Sequence, residues 1–144
     1  MHKFITTSKT QTRKLGEALA KELHKACPPK RRVKMICLSG NLGTGKTTFA
    51  QGFLKGLKIK GPYTSPTFII MKKYNNTYHI DAYRIKDKDL LELGWKEIIA
   101  DNPPAGGNII VIEWAERVRK IIPKDAIWIK FKWIAKNERE LKIL

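Results

Sequence analysis

Cysteine is scarce and acid is in short supply. The 144 residues hold 2 Cys and 13 Asp plus Glu against 29 Lys plus Arg, for a formal charge of +16. Cys27 and Cys37 are too far apart for a CxxC pair, and His2, His24 and His79 stand singly, so no zinc-type ligand spacing exists. Reduced thiols and no bound zinc are expected. No apolar run reaches the roughly 18 residues that a bilayer-spanning helix needs, and Met1 to Lys9 lacks the apolar stretch of a signal peptide. The expectation is a cytoplasmic protein with no membrane association.

What is present argues for one globular unit. A 42% hydrophobic share over 144 residues excludes global disorder, and this length is that of a single domain, 1–144, able to bury most of its unfolded surface. The basic excess is mostly lysine and is spread along the chain rather than gathered in a tail. Such a charge favours a nucleic-acid partner, but it is equally what a soluble, lysine-rich composition produces, so charge alone leaves direct RNA contact open.

Hydrophobic periodicity lays out alternating strands and helices. Ser8-Lys9-Thr10-Gln11 fits a capping box, and Leu15, Ala18, Leu19 and Leu23 follow at helical spacing until Cys27-Pro28-Pro29 stops them. After a Lys30-Arg31-Arg32 loop, Val33 to Leu38 reads as a strand buried on both faces. Phe49, Ala50, Phe53, Leu54 and Leu57 then mark an amphipathic helix over about Lys46 to Leu57. Thr67–Tyr74 and Thr77–Tyr83 are strand-like runs joined by Asn75-Asn76, which predicts an antiparallel hairpin. Short helical pieces broken near Gly94 come next, and residues 101–108 form a loop. Ile109 to Ile112 is a further buried strand, Trp114 to Ile122 a helix stopped by Pro123, and Ile127, Ile129, Phe131 and Trp133 the inward side of a half-buried strand. A turn at Lys136-Asn137 leads into a last strand, Glu140 to Leu144. Phe4 to Thr6 reads only as a short lead-in. The fold class is α/β: because a Gly-rich G-x-x-x-x-G-K-[ST] loop at residues 40–47 joins the second strand to the helix after it, the expectation is a single P-loop NTPase domain whose mixed central sheet, a parallel core plus antiparallel hairpins, is flanked by helices.

The chemistry is concentrated in Gly40-Asn41-Leu42-Gly43-Thr44-Gly45-Lys46-Thr47, which matches G-x-x-x-x-G-K-[ST] and lies between a buried strand and an amphipathic helix. Glycines let the backbone curl so that successive N–H groups face phosphate oxygens, and the helix N-terminus adds partial positive charge. Asn41 to Thr48 are therefore the candidate nucleotide-binding residues, with Lys46 on the β- and γ-phosphates and the Thr47 hydroxyl on Mg²⁺. Nothing in the motif selects ATP over GTP.

Such a cradle needs acids at strand ends. Glu113 closes the apolar run Ile109 to Ile112, the place of a Mg²⁺-associated acid in this fold class, although an ordinary strand-closing residue would look the same. A period of two puts His79, Asp81 and Tyr83 on one face, as a site wall or merely a solvated one. His79 by itself carries no assignment. Thr64-Ser65-Pro66-Thr67 is a hydroxyl-rich loop where nucleotide switches sense γ-phosphate, or a proline turn opening a strand. Trp128 and Trp133 could stack on bases, but alternating strand aromatics are more often core, and they receive no role.

Taken together, the phosphate-loop stretch 40–48, Ser65-Pro66-Thr67-Phe68, His79-Ile80-Asp81-Ala82-Tyr83-Arg84, Leu93-Gly94-Trp95 and Ile112-Glu113-Trp114-Ala115-Glu116-Arg117 resemble the bacterial TsaE family, also called YjeE. The resemblance covers nearly the whole chain. It implies an ATPase that works with TsaB and TsaD partners in making N6-threonylcarbamoyladenosine in tRNA, without performing the carbamoyl transfer itself, its hydrolysis resetting the TsaB–TsaD assembly between rounds. Carried over by position, Lys46 and Thr47 match the phosphate and Mg²⁺ residues, Glu113 the second Mg²⁺-associated acid and Asp81 the acid of the His-x-Asp motif. Thr64 to Thr67 match the switch-like loop, and Trp114 the tryptophan after the acid, a site neighbour of underived role. The heavy positive charge is not part of the family pattern.

Two other chemistries would use the same cradle. A small-molecule P-loop kinase would pass the γ-phosphoryl to a bound hydroxyl, but it needs an arginine-bearing lid and an acceptor pocket for which the remaining chain leaves little room. A basic RNA-binding module could hold nucleotide as a structural ligand and would show no turnover.

Overall fold

The computed structural model describes residues 1–26, 34–63, 70–100 and 107–144. The expected Lys30-Arg31-Arg32 loop, the Thr64 to Thr67 loop with the strand start at Thr67, and most of the 101–108 loop lie outside the described residues.

Among the described residues seven strands form one sheet: β1 (His2–Thr6), β2 (Lys34–Ser39), β3 (Met71–Tyr74), β4 (Thr77–Asp81), β5 (Ile109–Glu113), β6 (Ile127–Ala135) and β7 (Glu138–Ile143). Their order is β1-β7-β6-β2-β5-β4-β3. The central strands β6, β2, β5 and β4 run parallel, while β3–β4, β6–β7 and β7–β1 pair antiparallel. The mixed sheet expected from the sequence is therefore the one observed, and the hairpin through Asn75-Asn76 closes Tyr74 against Thr77 with Asn75 at positive φ.

Helices cover both faces. On one, α1 (Lys9–Ala26) and α2 (Lys46–Gly56) enclose Ile36, Leu38, Val111, Ile129, Phe131 and Leu141. On the other, short α3 (Asp87–Glu92) and α4 (Trp95–Ile98) lay Leu90, Trp95 and Ile98 against Met35, Cys37, Ile80, Ile110 and Ile112. Burial on both sides explains why β2 and β5 read as continuous apolar runs rather than alternating ones. The two large helices approach closely: a Cβ at Gly16 would stand 2.3 Å from the Phe49 carbonyl oxygen, and one at Gly52 1.9 Å from that of Arg13. Among the described residues no helix is long and apolar enough to cross a membrane.

Several expectations are corrected. The lead-in at Phe4 is a full edge strand, pairing with β7 from His2↔Ile143 to Thr6↔Arg139; four of its five residues are exposed, so no burial pattern announces it. Trp114 to Ile122 is not an α-helix. Trp114 takes a left-handed conformation (φ 59°), and a 3₁₀ helix follows over Ala115–Ile121, because the chain must turn sharply at the strand end and burying Ala115 and Val118 suffices to seat it. Tyr83 is 39% exposed because β4 ends at Asp81, so the alternation that would bury it stops, yet it still lines the same cavity as Asp81. Trp133 is 53% exposed, because β6 runs past its pairing with β2, which ends at Lys130, into a two-stranded ribbon with β7. The capping box shifts by one residue: the Gln11 N–H donates to Ser8 Oγ (3.1 Å), but Gln11 Oε1 accepts from the Thr7 N–H (2.7 Å).

Candidate functional site: a phosphate loop at the carboxyl edge of the sheet

Parallel strands end on the same side, so the C-termini of β2, β5 and β4 bring Gly40, Glu113 and Asp81 to one edge, where ligands of open α/β sheets bind. The loop after β2 turns back into α2 through three glycines at positive φ, Gly40, Gly43 and Gly45. Gly40 has φ 140°, and a Cβ there would meet the Phe131 carbonyl oxygen at 2.5 Å. Gly45, at φ 99°, caps α2 with its backbone alone. Thr44 points inward, its hydroxyl donating to the Asn41 carbonyl (2.7 Å), while Asn41, Leu42 and Gly43 are exposed at the loop tip.

Lys46 is the first residue of α2, and its side chain is folded into the loop. Nζ donates to the carbonyls of Gly40 (2.5 Å) and Asn41 (2.8 Å) and lies 4.1 Å from the centre of the Trp114 ring. Burial lowers its affinity for its proton below that of an ordinary lysine, an effect opposed by Glu116, Glu113 and Asp81. Thr47 and Glu113, 66 residues apart in sequence, meet across the site: Thr47 Oγ1 donates to Glu113 Oε1 at 2.5 Å. Glu113 Oε2 is held in turn by His79 Nε2 at 2.6 Å, with both side chains almost wholly buried.

Asp81 reaches the same edge from the neighbouring strand, in register with Glu113, and its Oδ1 accepts the N–H of Tyr83 (2.9 Å). Around these groups lies a cavity of about 530 Å³, lined by Gly45 to Thr48, Asp81, Glu113 and Trp114. Ser8, Lys9 and Thr12 around the start of α1 and Lys136, Asn137 and Arg139 around the β6–β7 turn line the same cavity. The candidate residues Lys46, Thr47, Thr48, Asp81, Glu113 and Trp114 thus converge, whereas Thr64, Ser65 and Thr67 lie outside the described residues.

Sequence reasoning missed three contributors. Glu116 accepts the Gly40 N–H (3.1 Å) with Oε2, and its Oε1 is buried without a hydrogen-bond partner among the described residues. Arg139, from the start of β7, holds the loop directly through Nε to the Gly43 carbonyl (3.1 Å). His79 was visible in its motif, but nothing in one strand's sequence tells which residue of another strand it will face. Trp114, left without a role, is the apolar and π-electron floor under the Lys46 ammonium, and Tyr83 (ring centres 4.8 Å) and Arg117 stack around it.

A sheet with a parallel core and this loop between strand and helix define an α/β protein of the P-loop class. Residues 6–141 match the family model described as threonylcarbamoyl adenosine biosynthesis protein TsaE. The chain belongs to the TsaE family. It is 37% identical over 111 residues to the tRNA threonylcarbamoyladenosine biosynthesis protein TsaE of Bacillus subtilis, a match spanning 74% of this chain and 66% of that protein. To the protein of the same name from Aquifex aeolicus it is 34% identical over 145 residues, 96% of this chain and 92% of the relative. The crystal structure of Bacillus subtilis YdiB superposes with a TM-score of 0.72 at 27% identity, covering 99% of this chain and 83% of that one.

Proposed function

We propose that residues 1–144 act as one P-loop domain that binds and hydrolyses ATP with Mg²⁺ for tRNA threonylcarbamoyladenosine biosynthesis, alongside TsaB and TsaD homologues in the cytoplasm. The observation that carries the reading is the 2.5 Å bond between Thr47 and Glu113, which joins the phosphate loop to the acid at the end of β5.

The donors at this edge suit a hard cation. Thr47, Glu113 and Asp81 offer oxygen alone, and among the described residues no group of three or more His, Cys, Asp or Glu side chains could hold a metal by itself. That fits Mg²⁺, which takes one or two protein oxygens and completes its shell with phosphates and water. Bound with the nucleotide, the ion neutralises phosphate charge. The chain supplies the rest. Loop N–H groups and the start of α2 receive the phosphates, and Lys46 exchanges the carbonyls of Gly40 and Asn41 for phosphate oxygens. Asp81 and Glu113, level with one another at the ends of β4 and β5, are the two acids placed to serve the metal shell and to orient the attacking water. The cavity of about 530 Å³, lined also by Ser8, Lys9, Thr12, Lys136, Asn137 and Arg139, is the space assigned to the nucleoside.

A basic face supports contact with tRNA. Strand register sets Lys3, Lys142 and Lys130 side by side across one rung of β1, β7 and β6, while on the next rung Lys132 stands opposite Glu140, which also pairs with Lys3 at 3.7 Å. One acid among four lysines leaves this face with a net positive charge that a phosphate backbone would complement.

Phosphate release from ATP, measured alone and then with TsaB and TsaD homologues, tests the main reading. Stimulation by the partners is expected, as is a loss of roughly 100-fold or more in Lys46→Ala and Glu113→Ala, each with unchanged circular dichroism. Unchanged hydrolysis in either variant removes that residue from the mechanism. Turnover indifferent to the partners would remove the partnered reading and favour a kinase-type acceptor.

A further inference from the structure

We propose that His79 is a positioning residue: it locks the Glu113 carboxylate in the orientation that serves Thr47 and the metal. The inference rests on the reading of Glu113 as the metal-side acid. His79 is 0% exposed and Glu113 2%, and Nε2 lies 2.6 Å from Oε2. An ionised carboxylate can only accept, so in this pairing Nε2 is the donor to a Glu113 carboxylate.

The sheet makes this pairing specific. In the parallel β4–β5 ladder, His79 is level with Val111 and Asp81 with Glu113, so His79 lies diagonally behind Glu113 on the same face of the sheet. From there it takes the oxygen that points back into the protein. The other oxygen, Oε1, is left to Thr47 at 2.5 Å. A carboxylate held by one partner can rotate about its last bond, whereas one held by two on opposite oxygens cannot. Nδ1 of His79 is buried with no hydrogen-bond partner among the described residues, so the only bond seen to orient this ring is the one to Glu113. A polar ring placed in a core for packing alone would not be expected to spend its one hydrogen bond on the site's acid. Outer partners that orient a ligating carboxylate in this way are worth about 10- to 100-fold in metal affinity.

The test uses the full chain and a fluorescent, non-hydrolysable ATP analogue, titrated with Mg²⁺ and, separately, in EDTA. In His79→Asn the amide is too short to reach Glu113. This variant is expected to need about tenfold more Mg²⁺ for half-maximal binding while its metal-free affinity stays unchanged. His79→Gln can place an amide N–H where Nε2 stands and is expected to recover most of the loss. Equal losses with and without Mg²⁺ would make His79 a structural residue and overturn the proposal, as would a folded His79→Asn with the wild-type Mg²⁺ requirement. Glu113→Gln is the control for the underlying reading. If it leaves the Mg²⁺ requirement unchanged, the assignment of Glu113 fails; if Glu113→Gln raises the requirement and His79→Asn does not, only the role of His79 fails.

Discussion

Cys37, in the middle of β2, shows how burial alone sets a residue's chemistry. It is 0% exposed, and loss of water pushes its thiol from 9.0 up to about 12, against a smaller opposing pull from Arg119. Between those values the native protein keeps a proton that the unfolded chain gives up. The stability linked to this thiol is therefore complete below pH 9 and is lost as pH rises toward 12, at about 1.4 kcal/mol per unit. Cys37→Val removes the titrating group while keeping a small apolar side chain. From pH 8 to 10.5 the variant should lose roughly 2 kcal/mol less than the wild type in urea denaturation. Parallel pH dependences in the two proteins would show that Cys37 does not titrate this way. The same burial predicts that iodoacetamide modifies Cys37 only through unfolding.

At the scale of elements, the α1–α2 crossing links stability to the site. Glycine in a helix normally costs about 1 kcal/mol relative to alanine, so Gly52→Ala would stabilise an isolated helix. Here the added methyl would lie 1.9 Å from the Arg13 carbonyl oxygen, a backbone atom that cannot swing away. The expected net result is a destabilisation of about 1–3 kcal/mol. Weaker nucleotide binding should accompany it, because pushing α1 outward moves Ser8, Lys9 and Thr12 from the cavity wall. Equal urea midpoints for Gly52→Ala and wild type would contradict this account. Elements whose burial pattern is local were legible in the sequence: the run Val33 to Leu38, the helical stripe of Phe49, Phe53 and Leu54, and the phosphate loop between them. β1 was not, since an exposed edge strand of mixed residues has no pattern to display. The 3₁₀ helix after Trp114 was not either, because helical spacing does not distinguish a tight turn from a regular one. In the site, Lys46, Thr47 and Glu113 follow from motif and strand end, while His79 and Glu116 act through pairings that only the assembled sheet creates.

The whole molecule carries a charge of +16, and its distribution is what a binding experiment can read. If the lysine rung formed by Lys3, Lys142 and Lys130 meets tRNA phosphates, affinity should fall steeply as salt is raised. Lys3→Glu and Lys130→Glu should each reduce the slope of log affinity against log salt by about one, without changing ATP hydrolysis in the absence of RNA. A slope untouched by both substitutions would remove this face from RNA binding.

The order of strands also governs when the site can come into being. The phosphate loop lies in the first third of the chain, yet the groups that shape it arrive late: Glu113 is 66 residues beyond Thr47, and Glu116 is 76 beyond Gly40. β2 must wait for β5 and β6 before either of its edges is paired. Such distant pairings slow folding, because the chain between them must be closed into a loop first. On the ribosome the Gly-rich segment therefore emerges long before it can cradle a phosphate. Nascent chains stopped before residue 113 should bind no nucleotide, and competence should appear only when the last third of the protein has been made.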